Sequence, residues 1–300
     1  MRARSATLTQ VQVASQARPR KGPRWWLLAR RNPAAAVSAL VVMGIVLVAL
    51  TAPWITPYDP YQPRVGPRLH PPSLHYPMGT DSLGRDMLSR IILGSQVALL
   101  VSTVSIALGV SLGTLIGLVS GWTEGLVDQA LQRLIDAMMA IPGLVLAMAL
   151  ASVLGTGLDK VILALSIFTI PVAARTVRGT VLSAKTEAYV EAARALGASS
   201  TRLLFTHILP NTLAPIIVVV SIQIGITILA EAALSFVGLG VQPPTPSWGQ
   251  LLSGAGRTYM ERAPWLAIFP TVAISVTVLA FNFLGDGLRD ILDPRLRGST

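Results

Sequence analysis

The chain has 300 residues, of which 52% are hydrophobic and only 13% are charged, and its formal net charge is +10. Soluble domains carry about 25% charged residues, so this composition excludes an ordinary soluble domain and indicates a polytopic membrane protein. The absence of cysteine excludes a disulfide framework, a thiol nucleophile and a cysteine metal site. A basic chain can bind nucleic acid, but we attribute the charge to cytoplasmic segments and expect no nucleic-acid partner.

The first 33 residues form a polar segment without an acidic side chain. Eight basic residues lie in it: Arg2, Arg4, Arg18, Arg20, Lys21, Arg24, Arg30 and Arg31. The first apolar block begins too far from the N-terminus, and is too long, for a cleaved signal peptide. Residues 1–33 are therefore predicted to be a basic cytoplasmic tail.

Six apolar blocks follow, and each is a candidate transmembrane helix, because a span needs about 20 residues to cross about 30 Å of hydrocarbon. They lie at residues 34–56, 97–121, 137–157, 161–180, 213–237 and 265–285. Pro171 interrupts the fourth block, and only 14 residues separate Lys160 from Arg175. We expect this span to extend past Arg175, whose side chain then reaches the interface or faces protein.

Most of the 24 Lys and Arg residues lie in segments that a cytoplasmic N-terminus would place inside. The outside segments hold seven: Arg64, Arg68, Arg85, Arg90, Lys160, Arg257 and Arg262. By the positive-inside rule, both termini and the loop between the fourth and fifth blocks are predicted to be cytoplasmic. Trp54, Trp122 and Trp265 lie at block ends, where tryptophan anchors spans at the interface.

The longest polar interval in the second half of the chain lies between the fourth and fifth blocks. It predicts two short helices, with Thr186 as a candidate N-cap of the first and Gly197 as its left-handed C-cap. Ser199 or Ser200 can cap the second helix. Pro210 is expected to end that helix, since proline has no N–H and clashes with the preceding turn. Two amphipathic helices between spans would present a compact docking surface on the aqueous side.

The segment between the first and second blocks is Pro-rich up to Pro77 and then becomes amphipathic. Asp81 can cap a helix with an apolar face formed by Leu83, Met87, Leu88, Ile91 and Ile92. Such a helix could lie along the outer membrane interface, or the segment could be a polar lead-in to the second span. Periodicity alone does not separate these two interpretations.

The sequence lacks a phosphate-binding loop of the form G-x-x-x-x-G-K-[ST], so ATP hydrolysis would have to take place on another polypeptide. An intramembrane protease is not supported, because no His or Lys lies within a block to activate a serine, and Asp286 has no second carboxylate to face. His70 and His75 are too few to predict a metal site. The chain is predicted not to be an enzyme.

Glu231 is the one acidic residue well inside an apolar block. Carboxylates at such a depth are costly and usually face the bundle interior or water. Glu231 could line a pathway, but we favour an interhelical hydrogen bond near the outer end of the fifth span.

Six residues of the central loop resemble the EAA loop of bacterial ABC importer permeases: Glu191, Ala192, Ala193, Gly197, Leu209 and Pro210. The resemblance implies that this coupling loop, residues 183–212, docks into a cleft of a cytoplasmic ATPase. His207 stands where the family usually has isoleucine, and Ile208 follows it. ATP and Mg²⁺ would be held by the partner ATPases, with no cofactor bound by this chain.

Three further segments resemble the C-type permease subunit of dipeptide, oligopeptide and nickel importers. They are Gly79-Thr80-Asp81 with Gly84-Arg85-Asp86 and Ser89-Arg90, the loop LSFVGLGVQPPTPSWGQLL, and the tail GDGLRDILDPRLRG. The resemblance implies an all-α membrane protein with six transmembrane helices and the type I ABC importer permease fold. The expected divisions are a cytoplasmic tail at 1–33, a first span with an extracytoplasmic segment at 34–96, a core of five spans at 97–286 and a cytoplasmic tail at 287–300.

The function implied by the resemblance is that of a permease subunit of an ATP-driven importer in the bacterial inner membrane, which moves short peptides by alternating access. The partners implied are a homologous second permease, two cytoplasmic ATPase subunits, an extracytoplasmic solute-binding protein and membrane lipid. Nickel or another small solute is an alternative within the family. The alternative from another class is a secondary transporter or channel that works without ATP, although neither inverted repeats nor interrupted midplane helices are evident.

Overall fold

The computed structural model describes residues 32–292, so most of the predicted N-terminal tail and the last eight residues of the predicted C-terminal tail lie outside it. Within this range the chain is helical, and its only β-type pairing is an isolated bridge between Thr80 and Asp86. The helices are α1 (Pro33–Ile55), α2 (Met87–Thr123), α3 (Gly125–Ala140), α4 (Gly143–Leu154), α5 (Leu158–Ala184), α6 (Ala188–Ala195), α7 (Ser200–Val237), α8 (Trp248–Leu252), α9 (Ala255–Thr258) and α10 (Trp265–Leu292).

Five helices are long and apolar enough to cross a membrane, namely α1, α2, α5, α7 and α10. Helices α3 and α4 pass the same test only as a pair, and they meet at an angle of 95°. The described residues therefore hold five candidate spans, or six if the bent pair forms one. The all-α membrane architecture predicted from the sequence is confirmed.

The most extensive contact between helices is that of α2 with α5. Glycine occupies every fourth position along the contact face of α2, at Gly109, Gly113, Gly117 and Gly121. A Cβ atom at Gly113 would lie 2.6 Å from the carbonyl oxygen of Ile170, and one at Gly117 would lie 2.5 Å from that of Ala174. In lipid, helices associate through small residues of this kind, because the hydrophobic effect adds little between spans.

The second span begins ten residues before the predicted block. Helix α2 starts at Met87, where the Asp86 carboxylate caps it by accepting a hydrogen bond of 2.7 Å from the backbone N–H of Ser89. Asp81 caps no helix; its Oδ1 accepts from the N–H groups of Leu83 and Arg85 in a tight turn. The interpretation of this segment as a polar lead-in to the second span is therefore confirmed, and its interpretation as a separate helix along the interface is wrong.

The third predicted block is not a straight span. Its residues fall on both sides of the break at Pro142, where Ile141 is extended, as expected of a residue that precedes proline. Helix α4 has only 12 residues, which gives a length of about 18 Å and leaves it short of the hydrocarbon thickness. The fourth span behaves as predicted, since α5 continues through Pro171 and past Arg175.

One end of the bundle is covered by two loop segments, residues 56–86 and 238–264, which we call the outer cap because the sequence predicts that they lie outside the cell. Trp248 is buried against Gly94 and donates a hydrogen bond of 3.0 Å to the carbonyl oxygen of Ile91. The buried Arg90 donates to the carbonyl oxygen of Pro60 at 3.1 Å. These bonds fix the cap to the first turns of α2.

Candidate functional site

The first helix of the coupling loop is α6, and its N-cap is Glu187 rather than the predicted Thr186. The Thr186 hydroxyl donates to the carbonyl oxygen of Ser183 at 2.9 Å, so it serves the end of α5. The backbone N–H of Glu187 likewise donates to Ala184. The loop therefore leaves α5 through a tight turn before α6 starts.

Gly197 ends α6 as predicted, with a φ of +84°. The N–H of Ala198 donates to the carbonyl oxygen of Ala193 at 3.1 Å, and the N–H of Gly197 donates to that of Arg194 at 3.0 Å. These two bonds form a Schellman motif, which requires a left-handed residue at the position of Gly197. A Cβ atom at Gly197 would meet nothing within 4 Å, so only backbone strain opposes a substitution there.

The second helix of the loop starts at Ser200, and Ser199 is its N-cap, with Oγ accepting from the N–H of Arg202 at 3.3 Å. The expectation that Pro210 ends this helix is wrong. Residues Leu203–Ile208 form a π-helical segment, after which the α-helix resumes and continues to Val237. Pro210 lies in the first turn of the resumed helix, where its missing N–H costs no regular hydrogen bond.

The coupling loop is fixed to the bundle by one apolar face. Val190, Leu203 and Ile208 are buried, and Ile208 packs in a cluster with Val177 and Val181 of α5. The phenol oxygen of Tyr189 accepts a hydrogen bond of 2.8 Å from the side-chain amide of Asn211, which joins α6 to α7. The opposite face is free for a partner.

The six predicted docking residues lie on or beside this free face. Glu191, Ala192, Gly197 and Pro210 are exposed, and Ala193 and Leu209 are partly buried. Within residues 32–292 the Glu191 side chain forms no hydrogen bond or ion pair, so it does not brace α6 against α7. Its exposed carboxylate is available to another subunit.

Sequence reasoning missed two apolar side chains on the same face. Leu196 is 89% exposed and Phe205 is 55% exposed, although both are large and apolar. Leu196 is the C-cap residue of α6, where the chain turns towards Gly197. The signal that could have found it is the Schellman motif itself, since the residue before its glycine turns away from the helix axis.

Lys185 ties the start of the coupling loop to the end of α2. Its ammonium group donates to the carbonyl oxygens of Gly121 at 3.2 Å and Trp122 at 3.0 Å, and to the Glu124 carboxylate at 2.6 Å. The ammonium also lies 5.3 Å from the centre of the Trp122 ring. The hydrogen bond from Lys185 lowers the pKa of Glu124 below its usual value. A cation at this position suits the negative end of the α2 dipole.

Glu231 is buried near the outer end of α7. Its Oε1 accepts a hydrogen bond of 2.7 Å from the Ser235 hydroxyl, one turn further along the same helix, and Oε2 has no hydrogen-bond partner among the described residues. This bond runs within α7, and the Ser247 hydroxyl of the outer cap also interacts with the Glu231 carboxyl. Ser235 Oγ also accepts from the N–H of Val241 at 3.1 Å, so Glu231 supports the turn that leads into the outer cap.

No group of three candidate metal ligands occurs among residues 32–292. His70 lies in the outer cap, where its Nδ1 is 2.8 Å from the carbonyl oxygen of Pro71.

Comparison with known families decides the assignment. Residues 113–298 match the family described as the binding-protein-dependent transport system inner membrane component. The chain belongs to this family. Residues 24–72 also match the N-terminal TM domain of oligopeptide transport permease C, in agreement with the C-type resemblance.

Relatives with assigned names agree with the family. The chain is 49% identical over 91% of its length to the glutathione transport system permease protein GsiD of Salmonella typhimurium strain LT2, and covers 90% of that protein. It is 46% identical to GsiD of Escherichia coli O6:H1 strain CFT073, with the same coverage of both chains.

A solved structure of the MetNI methionine ABC transporter in an inward-facing conformation shares the fold. It has a TM-score of 0.57 and 21% identity, and the match covers 69% of this chain and 98% of that chain. A second crystal form gives a TM-score of 0.55 at 18% identity.

The protein is thus a multi-pass inner-membrane permease subunit of an ABC importer, with the type I permease fold. It is not itself an enzyme, because in such importers ATP is hydrolysed on separate subunits. Neither family nor fold assigns roles to the six coupling-loop residues or to Glu231.

Proposed function

We propose that this permease forms the translocation pathway for short peptides and takes its driving force from cytoplasmic ATPases through residues 183–212. The observation that carries the proposal is the coupling loop itself. A rigid Schellman turn at Gly197 presents an exposed helix face that is firmly held to α5 on its other side. The expected assembly contains a homologous second permease, two ATPase subunits and an extracytoplasmic solute-binding protein.

The continuity of α7 supports a mechanical role for this loop. Helix α7 runs without a break for 38 residues from Ser200, inside the coupling loop, to Val237 below the outer cap. At 1.5 Å per residue its length is about 57 Å. A displacement of the loop by a closing ATPase would therefore be transmitted along one continuous helix that crosses the membrane, as alternating access requires. The π-helical segment at Leu203–Ile208 is the place where such a lever can bend.

A short peptide is the substrate class best supported. The named relatives are glutathione permeases, and glutathione is a tripeptide. Nickel and other small solutes remain the alternatives within the family. The distribution of Lys and Arg supports a cytoplasmic location of both termini and of the coupling loop.

The test of the coupling role uses substitutions outside the membrane spans. Glu191→Ala and Gly197→Val should leave the permease in the membrane but weaken both the retention of the ATPases and the uptake of peptide. Valine at a left-handed position is strained by roughly 1–2 kcal/mol, and the larger effect is a change in the direction of the chain after α6.

Gly155→Val is the matched control. Gly155 has a φ of +89° and a ψ of −175°, with open space around its Cβ position among residues 32–292, so valine is strained there at least as strongly as at Gly197. Gly155 follows α4, far from the coupling loop along the chain, and its substitution should leave ATPase retention unchanged. If Gly197→Val and Glu191→Ala both keep wild-type retention and uptake, the loop is only a connector and the coupling role is wrong.

A further inference from the structure

The ion pair between Arg175 of α5 and Asp136 of α3 differs from the others in the bundle. Nη2 of Arg175 donates to Asp136 Oδ1, and the two side chains are 51% and 55% exposed. Arg178 lies three residues after Arg175 on α5. It donates two hydrogen bonds, of 2.7 and 2.6 Å, to the Asp128 carboxylate, and the side chains of this second pair are largely buried. The first pair is open on one side, whereas the second is more enclosed and is joined by two hydrogen bonds.

The depth of Arg175 makes its exposure informative. Lys185 lies beside the interfacial Trp122, and Arg175 precedes it by ten residues, or about 15 Å along the helix. Lys160, near the other end of α5, is 15 residues from Arg175, or about 22 Å. In a hydrocarbon layer about 30 Å thick between these two lysines, the backbone of Arg175 therefore lies about 8–15 Å from the nearer edge.

A half-exposed ion pair at this depth is costly against lipid, so its charged groups reach the interface or face protein or a water-filled cavity. Enclosing the pair in an interface with another protein would strip its water, at a cost that one hydrogen bond does not offset. The exposed positions beside Arg175 on α5 are Val172 and Gly179. Among residues 32–292, no atom lies within 4 Å of a Cβ built at Gly179, so this side of the ion pair has room for water.

The guanidinium group has donors to spare. Arginine carries five N–H donors in a planar fork, and within residues 32–292 Arg175 uses only Nη2. Arg133, one turn before Asp136 on α3, is also exposed, so this face carries two cations and one anion. A fork with free donors on a net positive surface is suited to two parallel hydrogen bonds with a carboxylate.

We propose that the face of α5 and α3 around Arg175 and Asp136 lines the aqueous translocation pathway, and that Arg175 binds the carboxylate of an anionic peptide as it passes. Asp136 holds the guanidinium group in place and is a positioning residue. The identity of the ligand rests on the proposed peptide transport, but the exposure of this face to water does not.

The first experiment measures water access. Because the chain has no cysteine, single cysteines can be introduced without removing others. Val172→Cys and Gly179→Cys flank Arg175, and Leu40→Cys and Leu279→Cys are controls on exposed apolar positions of α1 and α10. Each variant is assembled with its partner subunits in lipid nanodiscs and treated with a charged, membrane-impermeant methanethiosulfonate.

We expect both flanking cysteines to react and both control cysteines to stay unmodified. Protection of Val172→Cys and Gly179→Cys to the level of the controls would show that this face meets lipid. Reaction only when the second permease is omitted would show that the face is a subunit interface. Either result overturns the proposal, and neither depends on transport.

The second experiment measures recognition of the carboxylate. Uptake of a tripeptide with a free C-terminal carboxylate is compared with uptake of its C-terminal amide, for wild type, Arg175→Gln and Arg178→Gln at matched expression. We expect wild type and Arg178→Gln to prefer the acid, and Arg175→Gln to lose that preference while it retains the ATPases. The same binding protein serves every variant, so a changed ratio reports on the permease.

An unchanged preference in Arg175→Gln would overturn the role of Arg175 as the carboxylate ligand. A wild-type complex that takes up neither peptide would instead contradict the proposed function. The cysteine labelling would still decide whether this face is exposed to water.

Discussion

Glu231 illustrates, for a single residue, how a buried carboxyl can be held by its own helix. We expect Glu231→Gln to retain transport, because the amide oxygen can still accept the hydrogen bond from Ser235. Glu231→Leu should lower the melting temperature, since it leaves the Ser235 hydroxyl without its acceptor in a buried site. Uptake and thermal unfolding of both variants are the measurements. If Glu231→Gln assembles and melts normally but does not transport, the charge itself serves the pathway.

Lys185 is a second residue whose contacts predict a measurable effect. Lys185→Gln removes a cation from three acceptors at the end of α2 and should lower the melting temperature. Lys160→Gln is the control, because within residues 32–292 Lys160 pairs only with the neighbouring, largely exposed Asp159. Equal melting temperatures for the two variants would contradict a structural role for Lys185.

The pH dependence of this contact follows from Glu124. Because its pKa is lowered in the folded protein, its contribution to stability is present above the ordinary value near 4.5 and is lost as pH falls through the lowered pKa. Glu124→Gln should therefore differ from wild type in melting temperature at neutral pH, and the difference should shrink in acid.

Residue-level features set by local geometry were predictable from the sequence. Gly197 and Ser199 have the roles expected of them, because a C-cap glycine and an N-cap serine act on atoms within a few residues. The role of Thr186 was not predictable. Thr186 and Glu187 are adjacent candidates for the N-cap of α6, and the choice depends on the hydrogen bond of Thr186 to the Ser183 carbonyl oxygen at the end of α5. The partnership of Arg175 with Asp136 was also beyond sequence reasoning, because 39 positions separate them.

At the level of helices, the glycine face of α2 makes the sharpest prediction. In Gly113→Leu, the Cβ atom of the leucine would lie 2.6 Å from the carbonyl oxygen of Ile170 in α5. This distance is too short, so α2 and α5 must separate. We expect a loss of about 1–3 kcal/mol or more, seen as a lower melting temperature or as aggregation in size-exclusion chromatography.

The matched control for that substitution is Gly44→Leu in α1. Gly44 has no atom within 4 Å of its Cβ position, so leucine is accommodated there. Equal stability of Gly113→Leu and wild type would show that α2 and α5 can separate freely. The repeat of glycine at every fourth position was visible in the sequence, and small-residue spacing is the signal that identifies it.

Three prolines show why helix boundaries could not be predicted from the sequence alone. Pro142 breaks the third block, Pro171 is accommodated inside α5, and Pro210 follows a π-helical segment without ending α7. A proline removes one donor and clashes with the preceding turn, but tertiary packing decides whether the helix breaks, bends or widens. The early start of α2 has a similar cause, since the Asp86 cap lies outside the apolar block.

For the whole molecule, the sequence predicted the fold class and the family. It also predicted the number of spans, if the bent pair of α3 and α4 is counted as one span. Composition and the coupling-loop motif were sufficient for these, because both are properties of the chain itself. The outer cap was not predictable, since its core depends on bonds between distant segments, such as that of Trp265 Nε1 with the carbonyl oxygen of Thr80.

Topology gives a prediction at the same scale. A reporter fused after Thr300 should be found in the cytoplasm, and a reporter inserted at Pro72 should be found on the opposite side of the membrane. The reason is the excess of Lys and Arg in the segments assigned to the cytoplasm. Detection of both reporters on the same side would require an even number of crossings between them and would reject the assigned topology.

The most direct test of the central claim is ATP-driven uptake by the purified complex in proteoliposomes. Labelled glutathione, the binding protein and the permease pair are held constant, and the ATPase subunits and ATP are present or omitted. The account predicts accumulation only when both ATPases and ATP are present, and its loss in Gly197→Val but not in Gly155→Val. Accumulation without the ATPases would show a transporter that needs no coupling loop, and would contradict the account.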